Sequence, residues 1–197
     1  MLPQLRRTGR RVAVILATDG MPTNDQGDGG PTVTQEFVQA LRALEGLPIW
    51  LVIRLCTDED EITEFYNKLD ALLGLNLEVL DDFYGESKEV EKYNPWLNYA
   101  LPIHRCRELG YHHRLFDFID ERALTKEELR EFCFLLFGTL GPDPMTSWPE
   151  FLNYIEECLS QEMEQWNPVK KKHKPWINLK MLDKKYGERL FGRFKKK

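Results

Sequence analysis

Three short apolar segments, separated by helix-like patterns, constrain the fold of this chain more than any other feature. Residues 11–17, 49–56 and 75–80 are rich in apolar side chains, and the first two resemble strands that are covered on both faces. The first interval carries apolar residues at helical spacing at Phe37, Val38, Leu41 and Leu44, and the second at Ile62, Phe65, Tyr66, Leu69, Leu72 and Leu73. Two strand–helix–strand units in series predict three adjacent parallel strands with helices on both faces, which is a three-layer, Rossmann-like α/β fold.

Helix-capping signals extend this prediction along the chain. Thr32 and Asp58 are predicted to cap the first two helices, because each precedes a helical pattern and has Gln or Glu three residues later. After Asp82 the periodicity weakens, and short helices are predicted over residues 86–93 and 103–109. Two clearer helices follow, one from a Thr125 cap to Gly138 and one that starts near Ser147 with Pro149 in its first turn.

The charge distribution suggests how the chain is divided. The net charge is −5, yet residues 169–197 hold ten lysines and two arginines with only two acidic residues, so the remainder is strongly acidic. We predict a partial α/β domain over residues 1–140, a helical extension over 141–168 and a basic, flexible tail over 169–197. Such a tail is suited to electrostatic contact with an acidic partner.

Cysteine usage and hydropathy favour an intracellular, cytoplasmic protein. The four cysteines are scattered and include no Cys-x-x-Cys pair, which is typical of reduced thiols and not of a disulfide scaffold. No segment approaches the roughly 20 consecutive apolar residues of a membrane span, and no signal peptide is recognisable. The acidic body also argues against a dedicated nucleic-acid domain.

The first strand leads into the most informative motif. Residues 14–23, Val-Ile-Leu-Ala-Thr-Asp-Gly-Met-Pro-Thr, join an apolar strand to an acid, a glycine and a loop. Ligand sites of open parallel sheets lie outside the carboxyl ends of the strands, so Asp19 is predicted to lie on that rim. Asp81 and Asp82 follow the third strand and are predicted to lie on the same rim.

This motif resembles the later half of a von Willebrand factor A domain, and the resemblance covers roughly residues 10–82. It implies protein binding, with Asp19 contributing to a metal-ion-dependent adhesion site and Thr18 and Thr23 as its neighbours. The Asp-x-Ser-x-Ser loop that the family's site also needs is absent from the chain. One carboxylate is a poor site for a cation that takes about six oxygen ligands, so weak or absent Mg²⁺ binding is expected.

A second expectation concerns the edge of the sheet. In the family that the motif resembles, the Thr-Asp-Gly strand lies inside the sheet, whereas here the neighbouring strands of the first half are missing. An unpaired, apolar strand edge tends to form backbone hydrogen bonds with another strand. We therefore expect self-association through residues 12–17, or coverage of this edge by the C-terminal segment.

The predicted function is a protein-protein interaction or scaffold module that binds through Asp19, Gly20, Thr23, Asp81 and Asp82. Three alternatives remain open. In the first, Asp19 and Gly20 only order a turn, with Gly20 in an unusual backbone conformation. In the second, the rim acids belong to a metal-using hydrolytic enzyme. In the third, the basic tail acts as an electrostatic tether. No nucleophile elbow, P-loop or dinucleotide-binding motif is present, which disfavours the enzyme.

Two further groupings resemble functional motifs but fail at decisive positions. Residues 117–128 resemble a calcium-binding loop, yet Ile119 occupies a ligand position and Arg122 replaces the required glycine. Four residues of metal-binding types lie near Glu108 without the spacing of a zinc site. They are His104, Cys106, His112 and His113. Packing and surface roles are the expected explanation for both groupings.

Overall fold

The computed structural model describes residues 2–57, 59–138 and 147–187. They form two compact units, which are the described residues of Met1–Glu86 with Pro102–His112, and those of Ser87–Leu101 with His113–Lys197. This division differs from the domain boundary at residue 140 that the sequence predicted, because residues 87–101 and 113–138 pack with the C-terminal region.

The first unit contains a parallel sheet of three strands. In chain order its elements are α1 (Leu2–Thr8), β1 (Val12–Thr18), α2 (Pro31–Arg42), β2 (Ile49–Leu55), α3 (Asp60–Leu72), β3 (Leu77–Leu80), the start of α4 (Phe83–Tyr93), and most of α5 (Leu101–Glu108). The strand order is β1-β2-β3, and both pairings are parallel. The predicted α/β class with three adjacent parallel strands is therefore confirmed.

Strand β2 is the centre of this unit. Its side chains alternate between two faces, and Leu51, Ile53 and Leu55 pack against α2 and α3. On the opposite face Trp50 stacks on His112, with ring centroids 3.7 Å apart, and Arg54 reaches Glu108 of α5. Helices thus cover both faces of the sheet in this unit.

Strand β1 departs from its predicted environment. It lies at the edge of the sheet, with Val14 37% and Ile15 47% exposed. The expectation that this strand is covered on both faces, as β2 is, was therefore wrong. An apolar run indicates a strand, but it does not say whether that strand lies at the centre or the edge.

Helix capping follows the sequence signals in the second unit more closely than in the first. Helix α2 begins at Pro31 after Gly30 without a side-chain cap, so the predicted Thr32 cap was wrong. Helix α3 begins at Asp60, and Asp58 lies outside the described residues. The Thr125–Glu128 capping box is confirmed, and Gly138 ends that helix in the left-handed conformation, with φ 64°.

The second unit is mainly helical. It contains α6 (Arg114–Glu121), α7 (Lys126–Phe137), α8 (Trp148–Gln161), an antiparallel hairpin of β4 (Gln165–Asn167) and β5 (Lys172–Lys174), and α9 (Leu179–Tyr186). Its core includes Trp96, Tyr99, Leu115, Ile119, Leu129, Phe132, Phe151, Ile155 and Leu182. The aromatic segment Trp96–Tyr99 therefore contributes to packing. Asn94 and Asn98 bind backbone groups of distant segments through their side chains.

The described part of the basic tail has regular structure. We expected a flexible segment, but residues 169–187 include β5 and α9. Ile177 and Leu182 are buried, and the Trp148 indole donates to Asp183 Oδ1 at 2.7 Å. The few apolar residues among the lysines are enough to dock the segment, and residues 188–197 lie outside the described residues.

Among the described residues, no helix has the length and apolar character needed to cross a bilayer.

Candidate functional site

The carboxyl ends of the three parallel strands form one rim of the first unit. Thr18 pairs with Leu55, and Arg54 pairs with Leu80, so the three strands end at nearly the same level. Asp19 and Asp81 directly follow the outer two strands. Because β2 lies between these strands, the two acids are separated by about two strand spacings, or roughly 10 Å along the rim.

Two side chains other than Asp19 order the turn after β1. The Thr18 hydroxyl donates to the Gly20 carbonyl at 3.1 Å, and the Tyr66 hydroxyl of α3 donates to the same oxygen at 3.0 Å. Gly20 does not have a positive φ, so the idea that it supplies an unusual backbone conformation was wrong. The Asp19 carboxylate is exposed and makes no hydrogen bond or ion pair with the described residues.

The loop that follows is compact and acidic. Asn24 Oδ1 accepts hydrogen bonds from the backbone of Gln26 at 3.0 Å and of Asp28 at 2.8 Å, which is an Asx-type turn. Asp25, Asp28 and Thr23 are exposed. Thr23, which was predicted as a binding residue, therefore lies at the surface of an ordered loop on the same rim as Asp19.

Asp81 and Asp82 act locally at the start of α4. Asp82 Oδ1 accepts from the backbone N–H groups of Tyr84 at 2.6 Å and Gly85 at 2.7 Å, while Asp81 Oδ1 accepts from the backbone of Asp82 at 2.7 Å. These bonds satisfy N–H groups that would otherwise lack partners in the first turn. Asp82 therefore caps α4, and Asp81 bonds to the backbone of its neighbour, which weakens the case for acid-base chemistry.

The described residues do not assemble a cation site around Asp19. No group of three or more His, Cys, Asp or Glu side chains in them is arranged to hold a metal ion. The Thr18 hydroxyl already bonds to Gly20. A Mg²⁺ ion at Asp19 would thus have one protein carboxylate and otherwise water, which does not fit its preference for several fixed oxygen ligands.

We expect Mg²⁺ to leave the isolated chain unchanged. Titration to millimolar Mg²⁺ should not shift the melting temperature or the NMR signals of Thr18, Asp19 and Gly20, because a single exposed carboxylate binds the hydrated ion weakly. The Asp19→Asn variant provides the reference titration. A saturable shift in the unmodified chain that is lost in this variant would show that Asp19 does hold a cation.

The histidines predicted as a cluster have separate surroundings. In the first unit His104 is buried beside the Phe83 ring, and its Nε2 lies 3.5 Å from Glu108. Burial lowers the pKa of His104 to about 4, although Glu108 opposes this shift, so its imidazole is neutral at pH 7. His112 stacks on Trp50, and in the second unit His113 caps α6. These contacts agree with packing roles.

The calcium-loop resemblance at residues 117–128 is explained by an ion pair and a helix cap. Both Glu128 oxygens lie 2.8 Å from the Arg122 guanidinium, and Glu128 also accepts from the Thr125 backbone. The Arg122 hydrogen bonds and the Thr125 backbone lower the pKa of Glu128 to about 2. The final acid of the apparent loop is therefore engaged within the protein.

A buried ionic cluster under the sheet was not anticipated. Arg107 donates from Nε to Glu78 at 2.8 Å and from a terminal nitrogen to Glu86 at 2.6 Å, and all three side chains are buried. Nearby, Arg54 and Glu108 form an ion pair at 2.6 Å. The one signal in the sequence was Glu78, a charge within an apolar strand, which requires a partner once buried. The cluster holds the first turn of α4, through Glu86, and α5 to the sheet.

Comparison with known proteins adds no assignment. The chain matches no protein-family model, no curated protein and no solved structure.

Proposed function

We propose that this chain is an intracellular protein-binding module of von Willebrand factor A-like type, which binds a basic segment of a partner protein through the rim around Asp19. Divalent cations contribute little or nothing to this binding. The observation that carries the proposal is the Asp19 carboxylate, which is exposed and unpaired among the described residues while Thr18 and Tyr66 order its turn. A ligand-binding group held on an ordered backbone loses little entropy on binding.

The charge of the neighbouring loops supports a basic partner. Beside Asp19 and the helix-capping Asp82, the exposed acids on this rim and at the start of α3 include Asp25, Asp28, Glu59, Asp60 and Glu61. Clustered charge of one sign speeds association with a surface of the opposite sign and selects against like-charged partners. Lysine or arginine side chains are thus the chemistry that this rim recognises.

A matched set of variants tests the rim. Basic peptides are first selected from a random display library with the unmodified chain. We expect the triple variant Asp19→Asn, Asp25→Asn and Asp28→Asn to bind these peptides with an affinity lower by about tenfold or more. Glu64→Gln is the control, because Glu64 is an exposed acid of α3 that pairs with Lys68. Libraries that yield no enrichment in lysine and arginine, or peptides that bind the triple variant equally well, would contradict the proposal.

The basic hairpin gives the competing outcome. Lys171 and Lys172 are exposed in the β4–β5 region, and Lys171 has a positive φ of 52°. If the chain is instead an electrostatic tether, Lys171→Ala with Lys172→Ala will lose partner binding while the rim variant retains it. These substitutions leave the buried Ile177 and Leu182 in place, which deletion of the whole segment would remove.

A further inference from the structure

Within the part of the chain that the structure describes, the free edge of β1 carries none of the sequence features that usually protect an edge strand. Among the described residues, β2 is the strand that pairs with β1, and the opposite edge of β1 has no strand beside it. The seven residues of β1, Val-Ala-Val-Ile-Leu-Ala-Thr, contain no charge, proline or glycine. Natural proteins normally block such an edge with a lysine, a proline, a bulge or a covering segment.

The hydrogen-bond pattern shows which backbone groups face outward. The Val12 N–H donates to the Pro48 carbonyl at 2.9 Å, and the Thr18 carbonyl accepts from the Cys56 N–H at 2.8 Å. Because alternate residues of a parallel strand bond to the same neighbour, the even-numbered residues of β1 bond to β2. The N–H and C=O groups of Ala13, Ile15 and Ala17 therefore point to the free edge.

Opposite charges lie at the two ends of this apolar strand. Arg11 directly precedes β1 and Asp19 directly follows it, and neither makes an ion pair with the described residues. A second β1 in antiparallel orientation would bring Arg11 of each copy opposite Asp19 of the other. A parallel arrangement in register would instead place like charges together.

We infer that the chain forms a homodimer in which the β1 strands of two copies pair antiparallel about a two-fold axis at Ile15. Full overlap of the seven-residue strand sets this register, with Ala13 opposite Ala17 and Ile15 opposite Ile15 of the second copy. Each residue whose N–H and C=O groups point to the free edge then lies opposite another such residue, and the two residues of each pair exchange backbone hydrogen bonds. The contact is isologous, so it closes at a dimer and does not propagate into fibres.

The same pairing accounts for the exposed apolar side chains. Side chains on one face of an antiparallel pair lie about 5 Å from their counterparts, so Ile15 packs beside Ile15, and Val14 beside Leu16 of the second copy. Val14 and Ile15 are among the exposed large hydrophobic residues of the first unit. The inference does not rest on the proposed rim function, but the two share Asp19, which in the dimer lies opposite Arg11 of the second copy. The loop acids Asp25 and Asp28 lie outside the pairing edge, so Asp25→Asn with Asp28→Asn tests the rim alone and Ile15→Lys tests the dimer alone.

Disruption at the two-fold axis is the first test. We expect the unmodified full chain to sediment as a dimer, and Ile15→Lys to raise the dimer dissociation constant by at least about tenfold, since two lysines would meet at the axis. Leu72→Lys is the control, because Leu72 is an exposed apolar residue of α3 at 60% and lies away from the edge. A chain that stays monomeric at every concentration studied, or an Ile15→Lys dimer of unchanged affinity, would overturn the inference.

Charge reversal identifies the orientation. Arg11→Asp and Asp19→Arg should each weaken self-association, because each places like charges opposite one another in its own dimer. Mixing the two variants should restore dimerisation, and the products should be heterodimers, because both contacts are then complementary. Failure of the mixture to pair would exclude the antiparallel register. Protection of the Ala13, Ile15 and Ala17 amides from hydrogen exchange without dimerisation would show that a different segment covers the edge.

Discussion

Replacing Arg107 with alanine is expected to destabilise the first unit by about 3 to 5 kcal/mol, the cost typical of removing one partner from a buried ion pair. The Arg107 side chain is 4% exposed and lies within hydrogen-bond distance of both Glu78 and Glu86. Without the guanidinium, the buried Glu78 and Glu86 carboxylates each lose a charge-assisted hydrogen bond. The penalty arises mainly from that lost charge compensation, and only in part from lost packing.

A neighbouring arginine provides a matched control. Arg105 belongs to the same helix and also pairs with a carboxylate, Glu108, but its side chain is 53% exposed. Arg105→Ala is therefore expected to cost no more than about 1 kcal/mol, as is usual for surface ion pairs. The free energy of opening is best measured by hydrogen exchange at the amides of β2, which report on the first unit alone. Equal effects of the two substitutions would refute the assignment.

The origin of the penalty can be tested separately. If buried charge is responsible, the cost of Arg107→Ala should shrink when Glu78→Gln and Glu86→Gln are introduced first, because the remaining amides are neutral. If packing is responsible, the cost should be the same in both backgrounds. The comparison thus distinguishes charge compensation from the space that the arginine side chain fills.

The sequence predicts the strands of the first unit well because their signal is local. Runs such as Val12–Thr18 and Ile49–Leu55 contain enough apolar residues to exclude a solvent-exposed loop, and the intervening helical periodicity predicts parallel pairing. The same local signal cannot distinguish an edge strand from a central one. Strands β1 and β2 have similar composition, yet β1 is largely exposed and β2 is almost entirely buried.

The site was predictable only to the level of the rim. Parallel topology is sufficient to place Asp19 at the carboxyl ends of the strands. The partners that order its turn could not be predicted from the topology. Tyr66 is 46 residues from Gly20, and its sequence pattern indicated only an apolar helix face. Asp82 is on the rim but caps α4, as an acid before a helix commonly does when it binds the first N–H groups.

A single buried asparagine links several backbone segments of the second unit. Asn94 is fully buried, and its side-chain amide donates to the carbonyls of Ile119 at 2.9 Å and Arg122 at 2.8 Å. Its side-chain oxygen accepts from the backbone of Leu124 at 3.2 Å. One asparagine thus holds the end of α6 and the segment that leads into α7. Such long-range side-chain-to-backbone contacts carry no local signal, which explains why Asn94 was not singled out from the sequence.

We expect Asn94→Ala to destabilise the second unit by about 3 kcal/mol or more, because an unsatisfied buried polar group costs about 1 to 3 kcal/mol and three such groups lose their partner. Asn178→Ala is the control, since Asn178 is an exposed N-cap of α9 whose loss should cost about 1 kcal/mol. Hydrogen exchange at the amides of α6 and α7 measures both effects. An Asn94→Ala variant as stable as Asn178→Ala would mean that water replaces the side chain at these backbone groups, and that the end of α6 does not depend on it.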